Sequence, residues 1–101
     1  ALSLNRMRAD FDDAIRLSPN NAYLFYNRGN FHADHKEYSQ AIDDYTRAIQ
    51  IDPRLAEAWY NRGLARILSD NKATGINDLS KAGELGLYDA YSVIKKYETK
   101  K

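Results

Sequence analysis

Cysteine is absent from the 101 residues, so the chain has no disulfide framework and no thiolate metal site, and its redox compartment stays open. Charge of one sign is missing too. Lys and Arg total 15 against 14 Asp and Glu, which leaves no net field to hold nucleic acid or an anionic membrane. No apolar run approaches the roughly 18 residues that would suggest a membrane span. Glycine is scarce, at five residues, and none sits in a Gly-x-Ser-x-Gly turn or a phosphate-cradling loop. The chain opens at Ala1-Leu2-Ser3-Leu4, with neither Met nor a signal peptide, as a cut N-terminus would.

What the chain does contain is a repeat. Tyr26-Asn27-Arg28-Gly29 returns 34 residues later as Tyr60-Asn61-Arg62-Gly63. In the same frame Ala22 maps onto Ala56, Phe25 onto Trp59, Ile42 onto Ile76, and Ala48 onto Ala82. Extended backwards, the frame puts Ala14 ahead of Ala48 and Ser18-Pro19 ahead of Asp52-Pro53. A fixed period of this size marks a stack of similar units rather than one irregular core.

Within each unit the apolar spacing predicts two helices. Leu24, Phe25 and Phe31 mark the first, and Asp34-His35-Lys36-Glu37 interrupts it. The pattern resumes at Tyr38, Ala41, Ile42, Tyr45, Ala48 and Ile49, then ends at Asp52-Pro53, because proline cannot continue a helix. The next unit repeats the plan with Ala58, Trp59, Ala65 and Leu68, a turn at Ser69-Asp70-Asn71, and Ile76, Leu79, Ala82 and Leu85. Gly86 suits a left-handed stop. A last helix runs from Tyr88 to about Glu98, and Leu4, Met7, Phe11, Ala14, Ile15 and Leu17 predict one before the first unit. The expectation is one all-α domain of about six helices, an antiparallel helix-pair solenoid.

This pattern resembles the tetratricopeptide repeat, whose 34-residue unit carries aromatic, small and proline residues at set offsets. The first full unit has Phe25, Arg28-Gly29, His32, Ala41, Tyr45, Ala48 and Pro53 at those places. The second has Trp59, Arg62-Gly63, Arg66, Gly75, Leu79, Ala82 and Leu87. Gly29 and Gly63, facing Ala41 and Gly75, would let the paired helices approach closely. Arg stands before Gly in both units where the family has Leu, and His32 and Arg66 replace an aromatic. The resemblance divides the chain into a half repeat at 1–21, repeats at 22–55 and 56–89, and a capping helix at 90–101. A repeat cannot bury its apolar face alone. The side of the first helix bearing Leu4, Met7 and Phe11 is therefore expected to meet preceding units of a longer array or a second copy.

Asp10, Asp44 and Asp78 recur at the repeat period, as do Arg28, Arg62 and Lys96. Each base follows one acid by 18 positions. The expectation is that Asp10–Arg28, Asp44–Arg62 and Asp78–Lys96 pair across unit boundaries and set the register of the stack.

Chemistry is sparse. His32 and His35, with Asp34 and Glu37, form the one cluster with metal-like spacing, but His32 falls at a packing place and His35 in the turn, and no third ligand matches. Asp10, Asp12 and Asp13 read as a solvated helix face. No catalytic residue, metal or cofactor is predicted, and the chain is not expected to be an enzyme.

Binding remains. In the resembled family the first helices of successive units line a concave groove that holds an extended peptide or a partner helix. Carried over, those places fall on Tyr23, Tyr26, Asn30, Ala33 and Asp34, then on Glu57, Tyr60, Asn61, Leu64, Ile67 and Leu68. The final helix would add Tyr91, Ile94 and Lys95. Tyrosine gives such a surface a large amphipathic area at low rotamer cost, and Asn30 and Asn61 could hold a peptide backbone. Alternatively the last helix covers Leu64, Ile67 and Leu68, which then line nothing. One branch of the family clamps the C-terminal carboxylates of heat-shock chaperones. Asn30, Asn61 and Lys95 match that clamp, but Tyr26 and Tyr91 stand where two lysines belong, which removes most of its charge-assisted binding. The preferred reading is an interaction module with an aromatic, weakly apolar groove for a protein or peptide partner. The alternative is a structural spacer or regulatory appendage that self-associates through its first helix.

Overall fold

The computed structural model describes residues 2–98, with side chains described from Arg6 onward. Leu4 and the last three residues thus fall outside the described side chains. Six helices follow one another: α1 (Leu2–Leu17), α2 (Ala22–Asp34), α3 (Tyr38–Ile51), α4 (Ala56–Leu68), α5 (Lys72–Glu84) and α6 (Asp89–Glu98). The described residues contain no strand, and no helix among them is long and apolar enough to cross a membrane. The molecule measures 41 × 28 × 17 Å. Its thinnest dimension is about two helix layers at the usual 8–10 Å interaxial spacing.

The helical period explains the layering. On α3, Ala41, Tyr45, Ala48 and Ile49 recur every three or four residues and are all buried. Tyr45 and Leu79 are the largest fully buried side chains. Burial of a side chain of Leu size contributes about 1.5–3 kcal/mol. Three successive clusters form the core. The first is Phe25, Ala48, Ile49, Leu55 and Ala58, the second Ala41, Tyr45 and Ala65, and the third Leu79, Ala82 and Ala90. In the third, Ala90 of α6 closes over α5, with Val93 and Ile94 against it.

Glycine sets the closest contact within the α4–α5 pair. A Cβ built on Gly63 would lie 2.7 Å from the Gly75 carbonyl oxygen, and one on Gly75 would lie 2.6 Å from that of Gly63. Backbone therefore meets backbone there, as expected. Gly29 differs, because a Cβ on it would strike the Tyr45 ring at 2.7 Å rather than a facing backbone. The first pair keeps that gap and fills it with an aromatic ring.

The helix stops are of one kind in three places. Glu37 N–H donates to the His32 carbonyl and Lys36 N–H to that of Ala33. Asn71 and Asp70 do the same toward Arg66 and Ile67, and Leu87 and Gly86 toward Ala82 and Gly83. These are Schellman caps, which require a left-handed residue just past the helix. Lys36 has φ 60°, Asp70 70° and Gly86 111°. Only at Gly86 does the sequence supply a glycine.

The charge ladder exists, but its rungs connect differently from expectation. Arg28 donates to both carboxylate oxygens of Asp44, at 2.8 and 2.7 Å. Arg62 does the same to Asp78, at 2.9 and 2.8 Å. The pairs Asp44–Arg62 and Asp10–Arg28 are thus replaced, and Asp78 is taken by Arg62 and by Arg66 at 2.9 Å instead of by Lys96. Each bidentate pair joins the two helices of one hairpin. The separations of 16 and 18 add up to the period of 34, so the repeat alone fits either connection. The hairpin turn decides, because it brings residues 16 apart onto facing sides of one helix pair. These arginines reach across the unit boundary with the remaining guanidinium nitrogen instead. Arg28 reaches Asp12 at 2.9 Å, and Arg62 reaches Thr46 at 3.1 Å.

Candidate functional site

α2 and α4 lie side by side, and the turns of both helices that carry Asn30 and Asn61 face the same hollow, with a volume of about 200 Å³. At its floor is a polar lattice. The Tyr45 hydroxyl donates to Asn30 Oδ1 at 2.6 Å, and Asn61 Nδ2 donates to the same oxygen at 3.0 Å and to the Tyr26 hydroxyl at 3.2 Å. Burial, then the neighbouring Tyr26 and Asp34, push the Tyr45 hydroxyl well above the usual phenol range, so it stays a donor.

The lattice leaves two groups over. Asn30 Nδ2 and Asn61 Oδ1 have no partner among the described residues, and no described buried side-chain nitrogen or oxygen lacks one, so both face solvent. One amide thus presents a donor and its neighbour an acceptor, the pair of functions a peptide unit also carries. The wall around them is apolar, formed by Ala33, Leu64, Ala65 and Leu68 with the Tyr38 ring. Leu68 is 56% exposed. Asp34 supplies a carboxylate at the rim.

Five of the expected groove residues, Asn30, Asp34, Asn61, Leu64 and Leu68, come together here, along with Ala33. Others are placed elsewhere. Tyr26 is half-buried, its ring 6.0 Å from that of Tyr45 and its hydroxyl held by Asn61. Tyr60 and Ile94 pack into the C-terminal cluster. Ile67 joins that cluster and lies against Gly75, while Leu64 and Leu68 stay on the hollow, so the alternative of full cover by the last helix fails for those two. Tyr23 is exposed beside the Ser18–Asn21 loop, and Glu57 lies by Gly86 at the far end of α4. The Tyr91 ring rests on Gly83, where a Cβ would come within 2.5 Å of it. Lys95 is exposed on α6. Tyr38 and Tyr45 line the hollow although the sequence reading assigned them to packing. The visible signal was their place at α3 positions that face the preceding helix.

The two histidines are held apart by different partners. His32 Nδ1 lies 2.8 Å from Glu37 Oε1, and its hydrogen bond holds the Glu37 carboxyl below the usual range. His35 Nδ1 donates to the Phe31 carbonyl at 2.7 Å, and its ring lies 4.6 Å from that of Phe31. Among the described residues no three His, Cys, Asp or Glu side chains gather as metal ligands.

Comparison with known proteins agrees with this architecture. A model of the TPR repeat matches residues 31–67. The first TPR of Spaghetti (RPAP3), solved with the HSP90 peptide SRMEEVD, superposes with a TM-score of 0.87 at 20% identity, covering 93% of this chain and 76% of that one. The N-terminal domain of the stress-induced protein STI-1 from C. elegans gives 0.82 at 17% identity, covering 91% and 79%. The TPR domain of Arabidopsis OM64 gives 0.84 at 25% identity, covering 94% and 83%. No curated protein matches in sequence. Period, helix pairs, family model and superposition converge: the chain is an all-α helical-repeat solenoid that carries a TPR-repeat match over residues 31–67 and is similar to solved TPR domains.

Proposed function

We propose that the chain is a non-catalytic interaction module that holds an extended peptide segment in the hollow between α2 and α4. The observation that carries this reading is the unused donor on Asn30 beside the unused acceptor on Asn61, set next to an apolar wall. Together they can pair with one peptide unit while Leu64 and Leu68 take an adjacent side chain. The fold agrees, since one neighbour of similar structure was solved with a peptide bound.

The test is a peptide array probed with the purified chain, with Leu68→Ser and Tyr88→Ser run alongside. Both replaced side chains are exposed, at 56% and 74%, so both variants should fold. Capture that is lost in Leu68→Ser and kept in Tyr88→Ser supports the hollow as the site. No capture, or capture equal in all three proteins, removes it.

A second reading, self-association through α1, draws on one feature. A hollow of about 380 Å³ between α1 and α2 is lined by Met7, Phe11, Asn27 and Phe31. Those positions precede Ala41, Tyr45, Asn61 and Ala65, which α2 covers in the next unit, by one period of 34. A light-scattering mass that rises from monomer to dimer with concentration, and stays monomeric in Met7→Glu, supports this reading. A constant monomer mass eliminates it.

A further inference from the structure

We propose that the groove selects a segment in which a lysine or arginine is flanked by large apolar side chains, with Asp34 recognising the cation. The inference rests on the groove reading above. Two hollows lie along α2, one toward α4 and one toward α1, and Asn30 and Asp34 line both. Each offers an apolar wall, Leu64 and Leu68 in the first, Met7 and Phe11 in the second. Asp34 stands between them.

The Asp34 side chain is exposed and has no hydrogen-bond or ion-pair partner among the described residues. Among the described residues no lysine or arginine lines either hollow, and the histidine there, His35, already donates through Nδ1 to a backbone carbonyl. Asp34 also acts within the site, raising the Tyr45 hydroxyl along with burial and Tyr26. A ligand of the opposite polarity meets the reverse situation. The peptide SRMEEVD seen on the Spaghetti domain carries three acids, and here it would face Asp34 with no lysine or arginine among the described lining residues to neutralise it. Complementarity of charge discriminates mainly by suppressing the wrong partner.

Four labelled peptides test this by fluorescence anisotropy at low salt. One has lysine between leucines, a second has norleucine in place of the lysine, a third has glutamate there, and the fourth is SRMEEVD with a free carboxylate. In parallel, NMR follows the side-chain amides of Asn30 and Asn61. The expected result is that the lysine peptide binds about two- to five-fold tighter than the norleucine peptide, as an exposed ion pair allows. The glutamate peptide and SRMEEVD bind more weakly than either. The lysine preference should vanish in Asp34→Asn, and shrink in about 1 M salt as screening shortens. Equal or tighter binding of an acidic peptide at the Asn30 and Asn61 amides, or a lysine preference that survives Asp34→Asn, overturns the selectivity and leaves the groove reading intact. If none of the four peptides moves those amides, both fall together.

Discussion

Lys36 and Asp70 occupy one place in successive units, each just past the first helix of its pair, and each has positive φ. A left-handed residue with a Cβ costs roughly 1–2 kcal/mol, which glycine avoids. Lys36→Gly should therefore raise stability by about 0.5–1 kcal/mol, read as a higher urea midpoint at constant slope. The ion pairs give a sharper contrast. Asp78 is 3% exposed and holds both Arg62 and Arg66, so Asp78→Ala strands buried positive charge and should cost about 3 kcal/mol. Asp44→Ala should cost less. Its partner Arg28 is more exposed and keeps Asp12. Equal losses in denaturant melts would show that burial does not set the difference. Glu37 titrates low in the folded chain, chiefly through His32. Its contribution is therefore complete above the ordinary glutamate range and lost as pH falls through the lowered value. Glu37→Gln should flatten the acid limb of the stability curve below about pH 5.

At the scale of elements, most helices were legible. The interval from Tyr38 to Ile51 carries apolar residues at helical spacing and ends before Asp52-Pro53, so period and breaker agree. The glycine contacts were less so. Gly63 and Gly75 were readable as a close approach, whereas Gly83 was not, because its contact is the Tyr91 ring of the next helix. That contact links residues of two elements whose relative position no local pattern gives. The backbone contact at Gly63 leaves no side chain that could move aside. Gly63→Ala should accordingly destabilise by about 1–3 kcal/mol, the usual cost of overpacking, measurable as a lowered thermal midpoint. An unchanged midpoint would mean that α4 and α5 slide apart freely.

Across the whole molecule, each helix pair contacts mainly its neighbours, which makes stability a sum of units and interfaces. Truncation after Tyr88 removes α6 and uncovers the side of Leu79 and Ala82 that Ala90 packs against. The shortened chain should unfold at distinctly lower denaturant, with α5 losing amide-exchange protection first. The sequence by itself determined the period, the helical class, the sites of the stops and the residue types available to a groove, because these follow from spacing along one chain. Tertiary structure alone decided which acid meets which base, since separations of 16 and 18 satisfy the same period. It also decided which groove positions remain open. Tyr26 and Tyr60 are expected among the lining residues, yet packing claims them, while Asn30 and Asn61 keep a free donor and acceptor. Periodicity puts a residue on a helix face. What that face meets depends on how neighbouring helices cross it.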